Sequence, residues 1–336
     1  MVVNLINEQV KTEDVRLFVL DNYNDESVAA MISSRCHIVY MNRNVESKNP
    51  LKLIPVIYRL NLQMWKYSPD IIHIHANRII RPLLWFGPIV RTKHENNKPL
   101  TDYWRLKALF AVSYSVKDEC AQKRFKSTVV LNGIRTRDIK TKEILPQTVN
   151  NSSTSNLFHF VQVGRFYISE KGQDIVLEAI HILRRRGKAN FVMHFIGYGT
   201  SEALLKEKVL EYGLNDSVIF EGAKSQDYIF QHLCTYDLLI QPSRTEAFGL
   251  TVAEAMAAKI PVLVSNIPAL MEVIGYGNYG MSFQTENAED LADKLLSFMQ
   301  GRYDPAKVEK AYTYACQEYD INKTAEKYIQ EYKKLI

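Results

Sequence analysis

The stretch Leu238-Leu-Ile-Gln-Pro-Ser-Arg-Thr-Glu246-Ala-Phe-Gly249-Leu-Thr-Val-Ala-Glu254-Ala-Met256 decides the reading of this chain. An apolar run, Leu238–Ile240, enters a polar loop, and the loop enters a helical pattern over Thr251–Ala258. Gly249 lets the backbone come close to a ligand. The amides of Gly249, Leu250 and Thr251 would then point out of a helix N-terminus, an anion site suited to a diphosphate. Glu246 in the loop and Glu254 in the first turns could accept hydrogen bonds from sugar hydroxyls. Thr251-x-x-Glu254 also matches a capping box, which would make Glu254 structural. Both readings stand on the sequence.

A second stretch lies upstream, Phe160-Val-Gln-Val163-Gly164-Arg165-Phe-Tyr-Ile-Ser-Glu170-Lys171-Gly172. A buried strand pattern ends in Gly-Arg, and Lys-Gly follows just before a helix. Arg165 and Lys171 could together neutralise a diphosphate. Taken singly, each is equally a surface cation beside a helix start.

Outward from these two stretches, short apolar runs alternate with amphipathic ones. In the second half the strand patterns are Phe158–Val163, Phe191–Ile196, Val218–Phe220, Leu238–Ile240, Val262–Val264 and Met281–Phe283. The helical patterns are Gln173–Arg186, Ser201–Tyr212, Asp227–Thr235, Thr251–Ala258 and Ala288–Met299. In the first half strands are expected at Val15–Leu20, His37–Tyr40, Ile71–His75, Ile89–Thr92, Ala111–Ser113 and Thr128–Leu131, with helices at Ser47–Tyr67 and Asp102–Ala108. Apolar runs without clean alternation mark strands buried on both faces, hence parallel sheets. The expected fold is α/β, with two Rossmann-like doubly wound domains facing a cleft. Residues 1–150 form the first domain, with a polar linker over about 136–156, and 151–320 form the second. The amphipathic tail 321–336 either caps its own domain or crosses back to the first.

Composition excludes several classes. Apolar residues are 46% and charged residues 24% of the 336, a globular balance. The four cysteines are scattered without a CxxC pair, which argues against a disulfide framework or zinc site and fits a reducing cytoplasm. No apolar run reaches the length of a membrane span, and Met1 opens no signal-peptide pattern. Residues 1–155 hold 23 Lys+Arg against 14 Asp+Glu, or +9, while the rest of the chain is −4. A basic half is either a solvated face or one that meets anionic lipid headgroups or a phosphate-bearing acceptor. Nucleic acid is not expected, because no recognition motif accompanies the charge. A dinucleotide dehydrogenase is disfavoured, since no Gly-x-Gly-x-x-Gly follows a strand.

Taken together, these motifs resemble the GT-B fold family 4 glycosyltransferases. The resemblance rests on Gly164-Arg165, Lys171-Gly172, Phe195-Ile-Gly197-Tyr-Gly199, Val218-Ile-Phe-Glu-Gly222, Asp237-Leu-Leu-Ile-Gln-Pro-Ser243, Glu246 with Glu254, and Glu254-Ala-Met-Ala-Ala-Lys-Ile-Pro261. In the first half Pro69-Asp-Ile-Ile-His73-Ile-His75, Val90-Arg-Thr-Lys-His94-Glu95, Ala111-Val-Ser113 and Leu131-Asn132-Gly133-Ile134 fit more loosely. His94 could equally be a satisfied strand-end histidine, and Asn132-Gly133 a simple turn.

The resemblance implies a retaining transferase using a nucleotide-diphosphate sugar, UDP- or GDP-linked, with no further cofactor. It assigns Arg165 and Lys171 to the donor diphosphate, Glu254 to the ribose and Glu246 to the sugar hydroxyls. Backbone around Ala247, Phe248, Gly249, Leu250 and Thr251 would meet sugar and phosphate, with Gly164, Gly197 and Gly222 lining the site. His94 would reach the reacting sugar. The implied acceptor is a saccharide or lipid-linked chain of cell-surface polysaccharide. The implied location is cytoplasmic, peripheral at the inner face of the cytoplasmic membrane. No Asp-x-Asp motif occurs, so no metal is expected.

One departure counts against activity. The chain opens on Met1-Val-Val-Asn-Leu-Ile-Asn-Glu-Gln-Val, which reads as the family's first helix without its preceding strand and Gly-rich loop. A shortened form and a lost strand are both expected to leave an open slot in the first sheet. The alternative function is therefore a catalytically impaired nucleotide-sugar-binding protein. A GT-B sugar-nucleotide epimerase is a more distant alternative.

Overall fold

The computed structural model describes residues 1–22, 25–44, 46, 50–75, 83–84, 87–95, 100, 103–143 and 157–336. The chain divides into two compact units, Met1–Ile134 with Asp320–Ile336, and Arg135–Tyr319.

The first unit opens on helix α1 (Val2–Gln9), followed by β1 (Arg16–Asp21), α2 (Glu26–Ala30) and β2 (His37–Arg43). A 3-10 turn at Pro50–Leu53 leads into α3 (Ile54–Tyr67), then β3 (Ile72–Ile74) and β4 (Ile89–Lys93). β5 (Ala108–Ala111), α4 (Tyr114–Gln122) and β6 (Thr128–Val129) complete the N-terminal part. All pairings are parallel, yet they form two sheets, β1–β2 and β3–β4–β5–β6. Among the described residues no ladder joins β1 to β3. Helices cover both faces of these sheets. Leu60 and Met64 of α3 bury against Met41, Ile74 and Ile89, while Ile6 of α1 and Val10 just past its end bury against Cys36, Val15 and Leu17. α1 also turns Leu5 toward Val90, Phe110 and Val130, where the final helix (Ile321–Lys333) adds Ile321, Ala325 and Tyr328.

Several local expectations change. The helix expected over Asp102–Ala108 is a 3-10 turn at Tyr103–Arg105, and Ala108 already begins β5. The pattern there is too short to propagate a helix. β5 ends at Ala111, and Ser113 instead caps α4 by accepting from the Val116 amide. α3 begins at Ile54 because Pro55 occupies its first turn. Ser47 and Asp102 lie outside the described residues. Asn132-Gly133 is a packed crossing, not a surface turn: a Cβ on Gly133 would lie 2.5 Å from Thr324 Oγ1.

The second unit is an uninterrupted doubly wound domain. Its strands are β7 (Phe158–Val163), β8 (Phe191–Ile196), β9 (Val218–Gly222), β10 (Leu238–Gln241), β11 (Val262–Ser265) and β12 (Met281–Phe283). They form one parallel sheet in the order β12-β11-β10-β7-β8-β9. The helices are α5 (Ile168–Lys171), α6 (Gln173–Arg185), α7 (Glu202–Glu211), α8 (Gln226–His232), α9 (Leu250–Ala257), α10 (Pro268–Val273), α11 (Ala288–Met299) and α12 (Pro305–Glu318), and the final helix is α13. Alternation along the strands splits the core. Phe160, Phe195, Leu238, Ile240 and Leu263 face α6, α7 and α11. Their neighbours face the opposite layer, where α12 lies on α9.

The expected domain boundary at 150 moves. Lys140 N donates to Phe230 O, Lys142 N to Ala258 O, and Lys142 Nζ to Asp237 Oδ1 at 2.8 Å. Residues 136–143, the start of the expected linker, are thus pinned to the second unit by hydrogen bonds that composition does not reveal. Residues 144–156 lie outside the described residues.

Candidate functional site

The sheet order reverses at β7, with β8 on one side and β10 on the other. The loops leaving β7 and β10 therefore start side by side at the carboxyl edge, the crevice where parallel sheets bind ligands. The β7 loop carries Gly164, Arg165 and Lys171, and the β10 loop carries Ser243 to Gly249.

Two side chains close this crevice. Lys171 Nζ donates to Glu246 Oε1 at 2.5 Å, with both side chains largely shielded from water. The same oxygen accepts from Ser243 Oγ at 3.0 Å and from Gln241 Nε2 at 3.1 Å. Three donors thus converge on one carboxylate oxygen. Arg165 is different: it is exposed, 3.8 Å from Glu170 Oε2, and its guanidinium stands 5.9 Å from the Tyr167 ring.

α9 begins at the edge of the same crevice. Its N-cap is Gly249 at φ 113, and no side chain caps it. A Cβ there would meet Leu270 Cδ2 at 2.7 Å, so both the backbone angle and the space call for glycine. The first-turn amides of Leu250 and Thr251 therefore receive no cap from a side chain of Gly249. This start also removes the capping-box reading. Thr251 is the second helical residue, not the cap, and Glu254 lies past the first turn. Glu254 is 8% exposed, and burial pushes its pKa up to about 7 against the opposing effects of a Gln226 hydrogen bond and the Arg135 charge. Phe248 turns inward and stacks edge-on against Tyr319.

The glycines on the neighbouring loops set the crevice's depth. Gly197 follows β8 at φ 145, and a Cβ on it would lie 1.9 Å from the Gly164 carbonyl oxygen. Gly222 ends β9, and its carbonyl accepts from the Gly197 amide at 2.9 Å. Gly164, Gly197 and Gly222 therefore sit in one row across three adjacent strands.

The sequence reading missed the layer beneath. Gln162, Gln173 and Gln241 are buried polar side chains inside otherwise apolar segments. Gln162 Nε2 holds Lys171 O at 3.1 Å and Gln173 Nε2 holds Arg165 O at 2.9 Å, so both cationic residues are fixed through their backbones. Arg244 clamps the two loops together. Its guanidinium binds Asp174 at 2.9 and 3.0 Å and Glu286 at 2.7 Å, and its amide donates to Glu170 O. A glutamine within Phe-Val-Gln-Val or Leu-Leu-Ile-Gln was the available signal, since a polar residue in a two-faced strand must find a partner.

His94 belongs to the first unit, just past β4. Its Nε2 is 2.8 Å from His75 Nδ1. Burial above all brings its pKa down to about 4, against a weaker opposing effect of Glu95. Burial and the nearby His94 bring His75 to about 3. Both imidazoles are neutral at pH 7. Beside them His73 bridges Tyr332 Oη at 2.5 Å and Thr92 Oγ1 at 2.7 Å, which ties α13 to β3 and β4. The described residues hold no cluster of metal-ligating side chains.

The chain is similar to several known proteins. The chain is 25% identical over 328 residues to an uncharacterized 41.2 kDa protein of the Klebsiella pneumoniae cps region, covering 87% of this chain and 85% of that one. It is 34% identical over 145 residues to the amylovoran biosynthesis glycosyltransferase AmsK of Erwinia amylovora, 41% of this chain and 35% of that enzyme. Among solved structures a Rickettsia africae glycosyltransferase aligns at TM-score 0.80 and 21% identity, covering 98% of this chain and 93% of that one. Anabaena Alr3699/HepE, solved with UDP and glucose, aligns at TM-score 0.77 and 17% identity over 98% and 94%. These structures share the GT-B fold. The family model described as glycosyl transferases group 1 matches residues 146–316, the unit that holds the crevice, and the chain belongs to that family.

Proposed function

We propose that this chain is a retaining glycosyltransferase of the family 4 type, moving a sugar from a UDP- or GDP-linked donor to a saccharide or lipid-linked acceptor in cell-surface polysaccharide synthesis. The observation that carries the reading is the Lys171–Glu246 pair beside the uncapped N-terminus of α9, at the switch point of the sheet. Lys171, Arg165 and the α9 amides offer positive charge where a departing diphosphate develops negative charge, an electrostatic contribution that needs no protein nucleophile. Glu246 accepts from the sugar hydroxyls and Glu254 from the ribose hydroxyls. The role assigned to His94, on the reacting sugar, suits a neutral imidazole that donates or accepts one hydrogen bond. Alr3699/HepE was solved with UDP and glucose, and AmsK is named for amylovoran biosynthesis. Both fit this donor and product class. The reading places the protein at the cytoplasmic side of the membrane, with its basic first half toward anionic lipid.

The test is calorimetric binding of UDP, GDP and ADP to the parent chain and to Glu254→Ala and Lys171→Ala. One nucleotide binds selectively and both variants lose it. At 100 times its Kd that nucleotide stabilises the parent by about 2.7 kcal/mol. A folded chain that binds none of the three removes the donor-site reading. Selective binding without turnover of any sugar conjugate would favour the impaired-binder alternative. Transfer is also expected to persist in excess EDTA; loss of transfer that manganese restores would refute metal independence.

A further inference from the structure

We propose that the outer face of α3 is the surface that docks this protein on an anionic lipid bilayer. This deepens the membrane-contact part of the reading above and rests on it, while naming a surface that the reading does not contain.

Among the described residues, α3 buries one side in the core and leaves the other exposed. Leu60 and Met64 enter the core. Ile54, Tyr58, Leu62 and Trp65 stand exposed, Trp65 at 78%. At about 100° per residue these four fall within about 80° of the helix circumference. Arg59 and Lys66, also exposed, lie along one margin of that arc. On the other margin Asn61 Oδ1 accepts from the Leu84 amide at 2.7 Å, which places the exposed Leu84 beside the stripe. Arg105, whose guanidinium holds Leu83 O at 2.6 Å, follows Trp104, which is 80% exposed.

The sequence segment that carries the stripe has charge of one sign. From residue 47 to residue 69 the chain holds Lys48, Lys52, Arg59 and Lys66 and no acidic residue. Aromatic rings at the level of the headgroups, aliphatic side chains below them and basic side chains reaching phosphates are the chemistry of an interfacial helix. A second copy of this chain fits poorly. An isologous contact would set Arg59 and Lys66 against their own copies with no carboxylate on the helix to neutralise them. Trp65 and Tyr58 standing in water are expensive on a surface with no partner, and a bilayer covers them without requiring shape complementarity.

Vesicle flotation tests this, with phosphatidylcholine alone and with added phosphatidylglycerol. The parent chain is expected to float with the anionic vesicles, to be released by salt, and to show a blue-shifted tryptophan emission. Arg59→Glu with Lys66→Glu lowers partitioning roughly tenfold or more. Tyr58→Ser with Trp65→Ser lowers it as well and diminishes the blue shift. Leu210→Ser, an exposed leucine of the second unit, leaves it unchanged. Folding of each variant is checked by its thermal midpoint. Absence of binding to anionic vesicles, binding that ignores both double variants, or a concentration-dependent dimer that these variants dissolve would each overturn the proposal. Nucleotide binding is measured on the same samples. Lost vesicle binding with nucleotide binding intact removes the docking surface and leaves the transferase reading standing. The opposite pattern does the reverse.

Discussion

Glu254 sits on the inner side of α9, and burial lifts its pKa from 4.5 to about 7. Between those values the folded chain keeps a proton that the unfolded chain has released. The ligand-free protein therefore loses stability from this group as pH rises from about 4.5 to about 7. Thermal midpoints over a pH series should show this fall, and Glu254→Gln should flatten it. Nucleotide binding runs the other way. A ribose whose hydroxyls donate to this carboxyl favours its ionised form, so affinity should rise with pH through about 7. In Glu254→Gln the affinity should be weaker and no longer follow pH. An affinity in the parent that ignores pH between 6 and 8 would take Glu254 out of the nucleotide site.

At the scale of elements, the crevice depends on loops that approach one another more closely than side chains allow. Gly197 carries this for the β7 and β8 loops, because its φ of 145 and a Cβ 1.9 Å from Gly164 O both forbid a larger residue. Gly197→Ala should cost at least about 2 kcal/mol, lowering the midpoint of a unit this size by roughly 4–8 °C. Gly164→Ala is the control, since nothing lies within 4 Å of its added Cβ. Scanning calorimetry of the two variants distinguishes a local steric requirement from general intolerance in the loop. Equal midpoints would show that the loops separate freely and that the crevice is not held by this contact.

For the whole molecule, the tail belongs to the unit that begins the chain. Ile321, Ala325 and Tyr328 of α13 bury against Val90, Phe110 and Val130, and Tyr328 Oη lies 2.9 Å from Thr92 Oγ1. Each large buried side chain contributes about 1.5–3 kcal/mol, against a net stability of about 5–15 kcal/mol for a domain. Deleting residues 320–336 should therefore unfold the first unit. Hydrogen exchange should then show lost protection in β3 to β6 and retained protection in β7 to β12. Protection retained in both units would mean that α13 is dispensable. No described helix is long and apolar enough to cross a membrane, so the bilayer contact proposed for α3 is a surface contact.

The sequence by itself determined the second unit almost residue for residue. Phe158–Val163, Phe191–Ile196 and Met281–Phe283 are strands with the expected bounds, because a strand buried on both faces is an apolar run that stops where the chain turns. It also determined which residues could carry chemistry there: Gly164 directly follows β7 and Gly249 precedes α9, while Lys171 and Glu246 lie in the connections that leave β7 and β10. Shorter or marginal elements were not legible. α12 over Pro305–Glu318 has a mixed face, and β5 was displaced by a few residues because its apolar run continues to Val112. Only the tertiary structure decided that the β7 and β10 loops are neighbours, since strand order is a long-range pairing with no local signature. It alone moved residues 135–143 to the second unit and α13 to the first. It settled Glu254 against the capping box, because the position of a helix N-cap depends on the φ that Gly249 adopts beside Leu270. The physical reason is common to these cases. Periodicity records which faces are buried, whereas the partner that buries them is chosen by packing between segments far apart in the chain.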